Sequence, residues 1–435
     1  MAYEGYLDLG GNEVVNNARV RAAASAYGIA FGDCDPCSDM LPEALCGEEY
    51  ATPDTGDQAP WYDPTRPESA RFLGVFGLSV TGLSSNPVAR TPVELPGDGA
   101  LLGPIRRTHR EIAYTVQLLA LDQSALVYGR EWLASVLRGD VCGTDGCQGA
   151  EMTFFASCPC EEDCEGLTGR QELRVLCDVG LLEGPTPGTD DNALIALSAA
   201  GCDSAQSGAC GPALAATCDF TLVAGKPRIV HPAVRTAPTC TTLHLGDKLP
   251  GYDPDAAIAK CPPPVADCLV DPLCAAPPLP PQPPVPRDPC YPTGAFNAVR
   301  SFLSVDATCM ADWLDHVPVV EVYAGNKALR RMTVRFHMNP AALPCAANVD
   351  PCNACVDLDL PYLPAGSTLT LDGRVQRASV DCTTATPVLF GARGTAFSWP
   401  TFSCPSGFCV EVITADDVDT CAYATVDLFP LSDAA

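Results

Sequence analysis

The sequence has few basic residues for its length. Its 435 residues include 26 lysines and arginines against 53 aspartates and glutamates, which gives a formal net charge of −27. A surface that binds nucleic acid must neutralise phosphates with lysine and arginine, and a strongly acidic chain repels them instead. The composition therefore predicts no direct nucleic-acid binding.

Long apolar runs are also missing. No stretch of the chain approaches the roughly 18 apolar residues that a membrane-spanning helix needs. The first residues, MAYEGYLDLGGNEVVNNARVR, have neither the basic start nor the apolar core of a secretory signal. We therefore expect no membrane insertion and no conventional secretion.

Catalytic motifs are scarce as well. The chain contains no Gly-x-Ser-x-Gly, His-Glu-x-x-His or Gly-Lys-Ser/Thr sequence. Asp54-Thr55-Gly56 has the letters of an aspartic-protease loop, but that chemistry needs a second carboxylate loop, and none exists. His109-Arg110-Glu111 and the later segment 351–355, PCNAC, imitate a zinc-deaminase signature with its halves far apart. The sequence thus predicts a protein that is not an enzyme, with no catalytic residue and no cofactor.

Cysteine, by contrast, is abundant. The chain has 25 cysteines and only five histidines, a density typical of disulfide-bonded proteins in oxidising compartments. No secretory signal accompanies them. Two explanations remain open: the thiols bind metal inside the cell, or the protein leaves the cell by lysis, as a virus particle does.

The spacing of the cysteines suggests zinc ligands at some positions and disulfides at others. Cys34 and Cys37, with Cys46 nearby, and the pair Cys352 and Cys355 have the spacing of tetrahedral zinc ligands. We favour disulfides over zinc at these pairs, so no metal site is assigned, but zinc stays the alternative. Other candidates for disulfides are Cys142, Cys147, Cys158, Cys160, Cys177, Cys240, Cys309, Cys382, Cys404, Cys409 and Cys421.

One strand followed by one helix stands out in the N-terminal half. From Glu111 to Leu119 apolar side chains alternate with polar or small ones, the period-2 pattern of a half-buried strand. The period then changes to that of a helix, with Leu126, Leu133, Val136 and Leu137 on one face. Ser124 is placed to cap the start of this helix and Gly139 to end it.

Three further segments alternate in the same way, around residues 71–80, 173–181 and 214–222. The first residues, 1–33, have the pattern of an opening strand pair with loops. We therefore predict a mainly β fold whose residues 1–235 form an N-terminal antiparallel β-domain with one packed helix and Cys-rich insertions.

Proline marks the domain boundary. Residues 261–292 contain 13 prolines, a composition that favours extended polyproline II and a stiff spacer. We place a Pro-rich linker at 236–294 and a C-terminal β-sandwich at 295–435, because short strands with turn signals follow at close spacing. Asp372-Gly373 is predicted to form a two-residue hairpin turn between two of these strands.

Four aromatic residues of the C-terminal part could stack on sugars: Trp313, Tyr323, Tyr362 and Trp399. Aromatic residues in a sandwich more often fill its core. Sugar binding therefore stays the minor interpretation of these four residues.

Several segments in a fixed order resemble minor tail proteins of long-tailed phages that infect actinobacteria. They are GYLDLGGNEVVNNARVRA, CDPCSDM, DQAPWYDPTRPES, FLGVFGLSVTGL, REIAYTVQLLALDQSALVYGREWLASVLRG, DHVPVVEVYAGNKALRRMTVRFHMNP and STLTLDGRVQRA. The two-part layout is similar to the distal tail protein family, whose members join a ring-forming β-domain to a galectin-like or carbohydrate-module-like sandwich. The Cys-rich excursions and the proline spacer depart from compact members of that family.

The resemblance implies a structural virion protein of the tail tip or baseplate. It implies a homo-oligomeric ring, expected to be a hexamer, that contacts the tail tube protein, the tape measure protein and the tail-tip hub protein. It also implies assembly in the host cytoplasm and release by lysis. The alternative from another functional class is a carbohydrate-binding adhesion module that attaches the virion to the host envelope.

Overall fold

The computed structural model is built mainly of antiparallel β-strands, which confirms the predicted fold class. It divides into two compact units, Met1–Pro232 with Pro430–Ala435, and Ala233–Phe429. No helix in the described part of the chain is both long and apolar enough to cross a membrane. The structure describes residues 2–29, 59–138, 150–157, 173–187, 213–233, 239–249, 298–306, 314–338, 344–349, 354–381, 383–384, 390–391, 399–403 and 407–434.

The first unit contains eleven strands and two α-helices among its described residues. They are β1 (Tyr6–Leu9), β2 (Asn12–Asn16), α1 (Asn17–Ala26), β3 (Phe72–Thr81), β4 (Val88–Ala89), β5 (Pro92–Glu94), β6 (Ala100–Leu102), β7 (Arg106–Arg107), β8 (Arg110–Ala120), α2 (Gln123–Leu137), β9 (Ala150–Phe155), β10 (Leu173–Pro187) and β11 (Leu214–Val230). Seven of these strands form one sheet in the order β2-β1-β9-β10-β11-β8-β3.

Strand β8 confirms the alternation seen in the sequence. Ile112, Tyr114, Val116 and Leu118 are buried on one face, and β8 lies between β3 and β11 in the sheet. The same face carries alternate residues of β11, and helix α2 packs on it with Ala125, Leu126, Leu133 and Leu137 in the shared core. The helix therefore covers one face of the sheet, as the sequence predicted.

The start of α2 differs from the prediction. Asp122 caps the helix, because its carboxylate accepts a hydrogen bond from the backbone N–H of Ala125 at 2.8 Å. Ser124 lies inside the first turn and donates its hydroxyl to the same carboxylate, so it is not the cap. These hydrogen bonds outweigh burial and lower the pKa of Asp122, with help from the charge of Arg71. Gly139, the predicted end of the helix, lies outside the described residues.

A second helix was not predicted. The opening strand pair β1 and β2 is present, but α1 follows it directly, with Asn16 as its cap. The helix packs on the other face of the sheet through Val20, Ala23 and Ala24, against Leu73 and further residues of β8 and β11. The sequence pattern does not reveal α1, because an alanine-rich helix of ten residues has a weak apolar period.

Strand β3 has irregular burial where alternation predicted a regular pattern. Phe72, Leu73 and Val75 are buried, whereas Leu78 is exposed. The register with β8 shifts twice, between Phe72 and Gly74 and between Gly77 and Ser79. Each bulge turns the following residues to the opposite face of the sheet, so the predicted alternation fails in this strand.

Asn17 joins the beginning of the chain to β3. Its side-chain amide donates to the carbonyl of Gly77 at 3.1 Å and accepts from the Gly77 N–H at 2.7 Å. The buried amide thus makes the two bonds that a neighbouring strand would make with a peptide group. Gly77 lies on β3, the last strand at this edge of the described sheet, so the two bonds satisfy the Gly77 N–H and carbonyl on the side that faces no further strand.

Replacing Gly129 in α2 by alanine is expected to destabilise the protein, the opposite of the usual effect of this substitution in a helix. Replacing glycine by alanine inside a helix usually stabilises it by about 1 kcal/mol. A Cβ at Gly129, however, would overlap the ring of Phe72, which is fully buried and cannot move aside. We expect Gly129→Ala to lower the free energy of unfolding by about 1–3 kcal/mol, measured by chemical denaturation.

Gly180 on β10 offers the matched control. A Cβ at this position meets no atom within contact distance, so Gly180→Ala is expected to cause no loss of stability. Equal stability of the two variants would contradict the packing of α2 against Phe72.

The second unit is a two-layer β-sandwich. Its elements are β12 (Thr239–Thr242), β13 (Asp247–Leu249), β14 (Ala298–Asp306), β15 (Asp315–Tyr323), β16 (Leu329–Met338), α3 (Cys345–Asn348), β17 (Val356–Leu363), β18 (Thr368–Asp372), β19 (Arg377–Val380), β20 (Thr383–Thr384), β21 (Phe390–Gly391), β22 (Phe402–Ser403), β23 (Gly407–Ala415) and β24 (Tyr423–Ser432). Residues of β24 from Pro430 onward belong to the first unit. The proline-rich segment 261–292 lies outside the described residues, so its role as a linker stays a prediction.

The sandwich core lies between two sheets. One sheet has the order β13-β14-β23-β16-β17-β21, and the other contains β24, β15, β18, β19 and β20. Alternate residues of each central strand point between them, including Val320 on β15, Val334 on β16 and Val412 on β23. Burial of these apolar faces is the main source of stability for this unit.

The hairpin around Asp372 differs in detail from the prediction. Strands β18 and β19 do pair, but Asp372 lies opposite Arg377, so four residues connect them instead of two. Gln376 has the positive φ angle of 59°, and Gly373 does not have a positive φ. The Asp372 carboxylate accepts from the backbone N–H of Arg374 at 2.9 Å, and this local bond favours the longer loop.

A row of charged side chains crosses the six-stranded sheet on the face opposite the core. Glu411 on β23 is fully buried, and its carboxylate lies 3.1 Å from the His337 imidazole. Arg300 on β14 and Arg335 on β16 approach the same carboxylate within 3.9 and 4.0 Å. Arg335 also lies 3.4 Å from Asp357 on β17, where burial raises the pKa of the carboxyl and Arg335 opposes the rise.

Glu411 therefore gives a second stability prediction. Glu411→Gln keeps the shape of the side chain but removes the negative charge beside buried arginines. Breaking a buried ion pair in this way costs about 3–5 kcal/mol, so we expect the second unit to unfold at clearly lower denaturant concentration. Circular dichroism and tryptophan fluorescence would follow that transition.

The exposed ion pair of Lys327 and Asp417 supplies the control. Asp417→Asn removes a carboxylate that solvent already screens, so its unfolding midpoint should match that of the parent protein. A Glu411→Gln variant as stable as Asp417→Asn would show that the charged row adds nothing to the fold.

The described residues contain both disulfide-bonded and free cysteines. Cys345 and Cys409 form a disulfide across 64 residues, which fastens α3 to β23. Cys240, Cys355 and Cys421 are exposed free thiols, so the prediction of disulfides is wrong at these three positions. Oxidation of the cysteines outside the described residues stays a prediction.

Candidate assembly interface

A two-stranded arm projects between β3 and β8. It comprises residues 88–107, in which β4 pairs with β7 and β5 pairs with β6. The tip is a tight turn, closed by a bond from the Leu95 N–H to the Gly99 carbonyl at 3.1 Å, with Gly99 at a φ of 101°. Pro96 and Gly97, inside the turn, are residues typical of such a reversal.

Large apolar side chains of the arm are exposed to solvent. Val93 faces Leu101 across the two strands, and both are 60% exposed. Leu102 is paired with Pro92, so it lies on the opposite face of the ribbon, and it is 68% exposed. Leu95 and Ile105 are exposed as well.

Both faces of the arm therefore carry apolar groups that its own unit does not cover. A two-stranded ribbon alone is marginally stable in water, and clustered exposed apolar residues mark contact sites for other proteins. Arg90 and Arg106 on the same ribbon add positive charge to a chain that is otherwise strongly acidic. This arrangement suits a protein partner that encloses the ribbon and carries acidic residues.

Arg110 holds the root of the arm. The side chain of this residue is almost completely buried at the start of β8. Five carbonyl oxygens lie 2.7–3.0 Å from its guanidinium nitrogens, and they belong to Gly82, Leu83, Ser85, Pro227 and Asp433. Burial lowers the pKa of Arg110, and the charge of Asp433 opposes that shift.

Asp433 connects the same root to the arm itself. Its carboxylate accepts two hydrogen bonds from Arg107 on β7, at 2.8 and 3.2 Å, and lies 3.7 Å from Arg228. The hydrogen bond from Arg107 lowers the pKa of Asp433 most, and the charges of Arg107, Arg228 and Arg110 lower it further. The Asp433 carboxylate therefore stays ionised at lower pH than an ordinary aspartate does.

The sequence reasoning missed this region. The sequence pattern predicts no strand or helix in residues 82–109, and the only site it suggests around Arg110 is the His109-Arg110-Glu111 triplet. The turn sequence PGDG between PVE and ALL was the available signal for a hairpin. In the structure His109 is exposed and contacts Glu111 at 3.1 Å, with no third ligand among the described residues.

The four aromatic residues proposed for sugar stacking do not form one site in the described part of the sandwich. Tyr323 on β15 packs against Tyr423 with ring centres 5.4 Å apart. Tyr362 is exposed on β17, in the other sheet, and Trp399 packs against the core. Trp313 lies outside the described residues.

Of the five cysteines proposed as zinc ligands, the structure describes one, Cys355. Cys34, Cys37, Cys46 and Cys352 lie outside the described residues, as does Asp54-Thr55-Gly56. Cys355 is an exposed thiol, and the described residues contain no group of three or more potential metal ligands.

Comparisons with solved structures give several likenesses, two of which are described below. No protein-family model matches the chain, and no curated protein matches it. The Dit protein of phage SPP1, described as a paradigm of the hub of the adsorption apparatus in phages infecting Gram-positive hosts, is similar at 11% identity. That match covers 83% of this chain and 94% of the other, with a TM-score of 0.37. A chain of the phage p2 baseplate in its activated conformation with strontium is similar at 7% identity, covering 83% of this chain and 92% of the other, with a TM-score of 0.29.

Proposed function

We propose that this protein is a structural component of a phage tail tip that works through protein–protein contacts and not as an enzyme. The observation that carries the proposal is the arm, whose two apolar faces require a protein partner. The order of segments resembling actinobacteriophage minor tail proteins supports the same conclusion. A β-rich unit with a projecting ribbon is suited to holding neighbours together.

Within that function we propose the role of a distal tail ring or adaptor. The first unit forms a homo-oligomeric ring, expected to be a hexamer, with each arm enclosed by neighbouring copies. The ring joins the tail tube protein to the tail-tip hub protein, near the tape measure protein, in a virion assembled in the host cytoplasm and released by lysis. An acidic inner wall fits the net charge of −27, because like charges keep passing DNA from adhering.

The purified full-length protein tests this proposal. Mass photometry across a concentration series and negative-stain images should show closed rings of one stoichiometry. Single chains at all concentrations would contradict the ring. Rings that bind none of the tail tube or hub proteins in co-purification would contradict the adaptor role while leaving the assembly intact.

A carbohydrate-binding adhesion module is the second candidate. The observation in its favour is the exposed ring of Tyr362, together with the Tyr323–Tyr423 pair. Aromatic faces of this kind can stack on sugar rings. Binding of the full-length protein to a host-envelope glycan array, lost in Tyr362→Ala and retained in Leu101→Asp/Leu102→Asp, would establish this function.

A further inference from the structure

The segment 430–434 reaches the root of the arm from the far end of the sequence. It is anchored to β11 by strand pairing, with Val230 opposite Leu431 and Ile229 opposite Ser432. The backbone N–H of His231 donates to the Pro430 carbonyl at 2.9 Å, and the imidazole of His231 lies 2.8 Å from the Ser432 hydroxyl oxygen. These contacts with β11 and His231 hold the segment in place independently of its contacts with the arm.

From this anchored position one residue reaches both sides of the arm root. The Asp433 carbonyl accepts from Arg110 at 2.7 Å, and Arg110 also donates to the carbonyls of Leu83 and Ser85, in the turn that leads from β3 into the arm. The Asp433 carboxylate binds Arg107 on the returning strand. Asp433 is thus linked directly to the end of the arm through Arg107, and indirectly, through Arg110, to the turn that precedes the arm.

Apart from the contacts of Asp433 and Arg110, few hydrogen bonds among the described residues hold the two strands together at the root of the arm. Thr108 donates its N–H to the Pro87 carbonyl at 2.9 Å, and the short pair β4–β7 continues the ribbon outward. Two residues on each strand cannot by themselves fix the direction of a ribbon that is marginally stable in water. The charged contact at Asp433 is bidentate, a geometry that restrains orientation as well as adding energy.

We propose that residues 430–434 form a latch that fixes the direction of the arm and thereby favours its docking on neighbouring copies. This inference rests on the proposed assembly through the arm. It assigns Arg107 and Asp433 as positioning residues, since they restrain the ribbon without forming its apolar contact faces. The latch also makes assembly depend on a segment far from the arm in sequence.

The effect of the latch on the arm can be measured apart from assembly, in a variant that is expected to remain as single chains. In the background Leu101→Asp/Leu102→Asp, Asp433→Asn removes the carboxylate charge but keeps the backbone carbonyl that Arg110 binds. We expect amide hydrogen exchange in residues 88–107 to become about three- to fivefold faster, the size expected for a partly exposed charged pair. Glu111→Gln, which breaks the exposed contact with His109, is the matched control and should leave arm exchange unchanged.

A second measurement tests the link to docking. In the otherwise unchanged protein, Asp433→Asn should raise the concentration at half-assembly about three- to fivefold. Unchanged exchange in the arm overturns the latch. Faster exchange with unchanged assembly overturns its role in docking. If the parent protein forms no ring, the proposed function fails, whereas the exchange measurement still decides whether the latch exists.

Discussion

Replacing Leu101 and Leu102 together with aspartate is expected to convert the assembled protein into single chains. The two leucines lie on opposite faces of the arm, so the double variant removes apolar contact on both sides at once. Burying one leucine side chain contributes about 1.5–3 kcal/mol. Losing that contribution on both faces and adding charges that must be desolvated should raise the concentration at half-assembly at least about a hundredfold. Mass photometry and sedimentation velocity would measure the shift.

The control for this experiment is a leucine exposed elsewhere. Leu245 in the second unit is 75% exposed, so Leu245→Asp introduces the same chemistry away from the arm and should leave assembly unchanged. Circular dichroism should give the same spectrum for parent and both variants, because none of the three leucines is in a core. Arm variants that assemble like the parent would exclude the arm as the interface.

Arg110→Met is expected to produce the largest loss of stability in the first unit. Methionine fills much of the same space but leaves five carbonyl oxygens, one buried and four partly buried, without the donor they now share. Each unsatisfied buried acceptor costs about 1–3 kcal/mol before relaxation, and breaking a buried charge site as a whole costs about 3–5 kcal/mol. We therefore expect the free energy of unfolding of this unit to fall by about 3–5 kcal/mol, measured by urea denaturation.

Two companion variants keep this prediction testable if Arg110→Met does not fold. Arg110→Lys retains the charge but has fewer donors than a guanidinium, so its loss should be intermediate. Arg106→Met changes an exposed arginine of the arm and should leave stability unchanged. If Arg110→Lys proves as stable as Arg106→Met, the carbonyl cluster does not hold the root of the arm.

The regular strands were predictable because their signal is local. In β8 each side chain is assigned to a face by its two neighbours in sequence, so Ile112, Tyr114 and Val116 could be placed in the core without knowing their partners. The prediction failed in β3, where bulges at Gly74 and Ser79 shift the register. A bulge depends on the partner strand as well as on its own residues, and one sequence does not contain that information.

The candidate interface was less predictable than the fold. The turn at the tip of the arm has a sequence signal, but the exposure of Val93 and Leu101 does not, because the same alternation would describe a strand in a core. The prediction of Ser124 as the helix cap, where the structure has Asp122, failed for a related reason. Both residues can cap, and only the backbone path decides which carboxylate or hydroxyl reaches the free N–H groups.

The sequence by itself determined that this protein is built mainly of antiparallel strands and that a helix follows β8. These properties depend on composition and on neighbours within a few residues. Only the tertiary structure decided that Arg110 would gather carbonyls from Gly82, Pro227 and Asp433, and that Asn17 would bond to Gly77. Such contacts join residues far apart in the chain, and they form only after the sheet has brought its distant strands together.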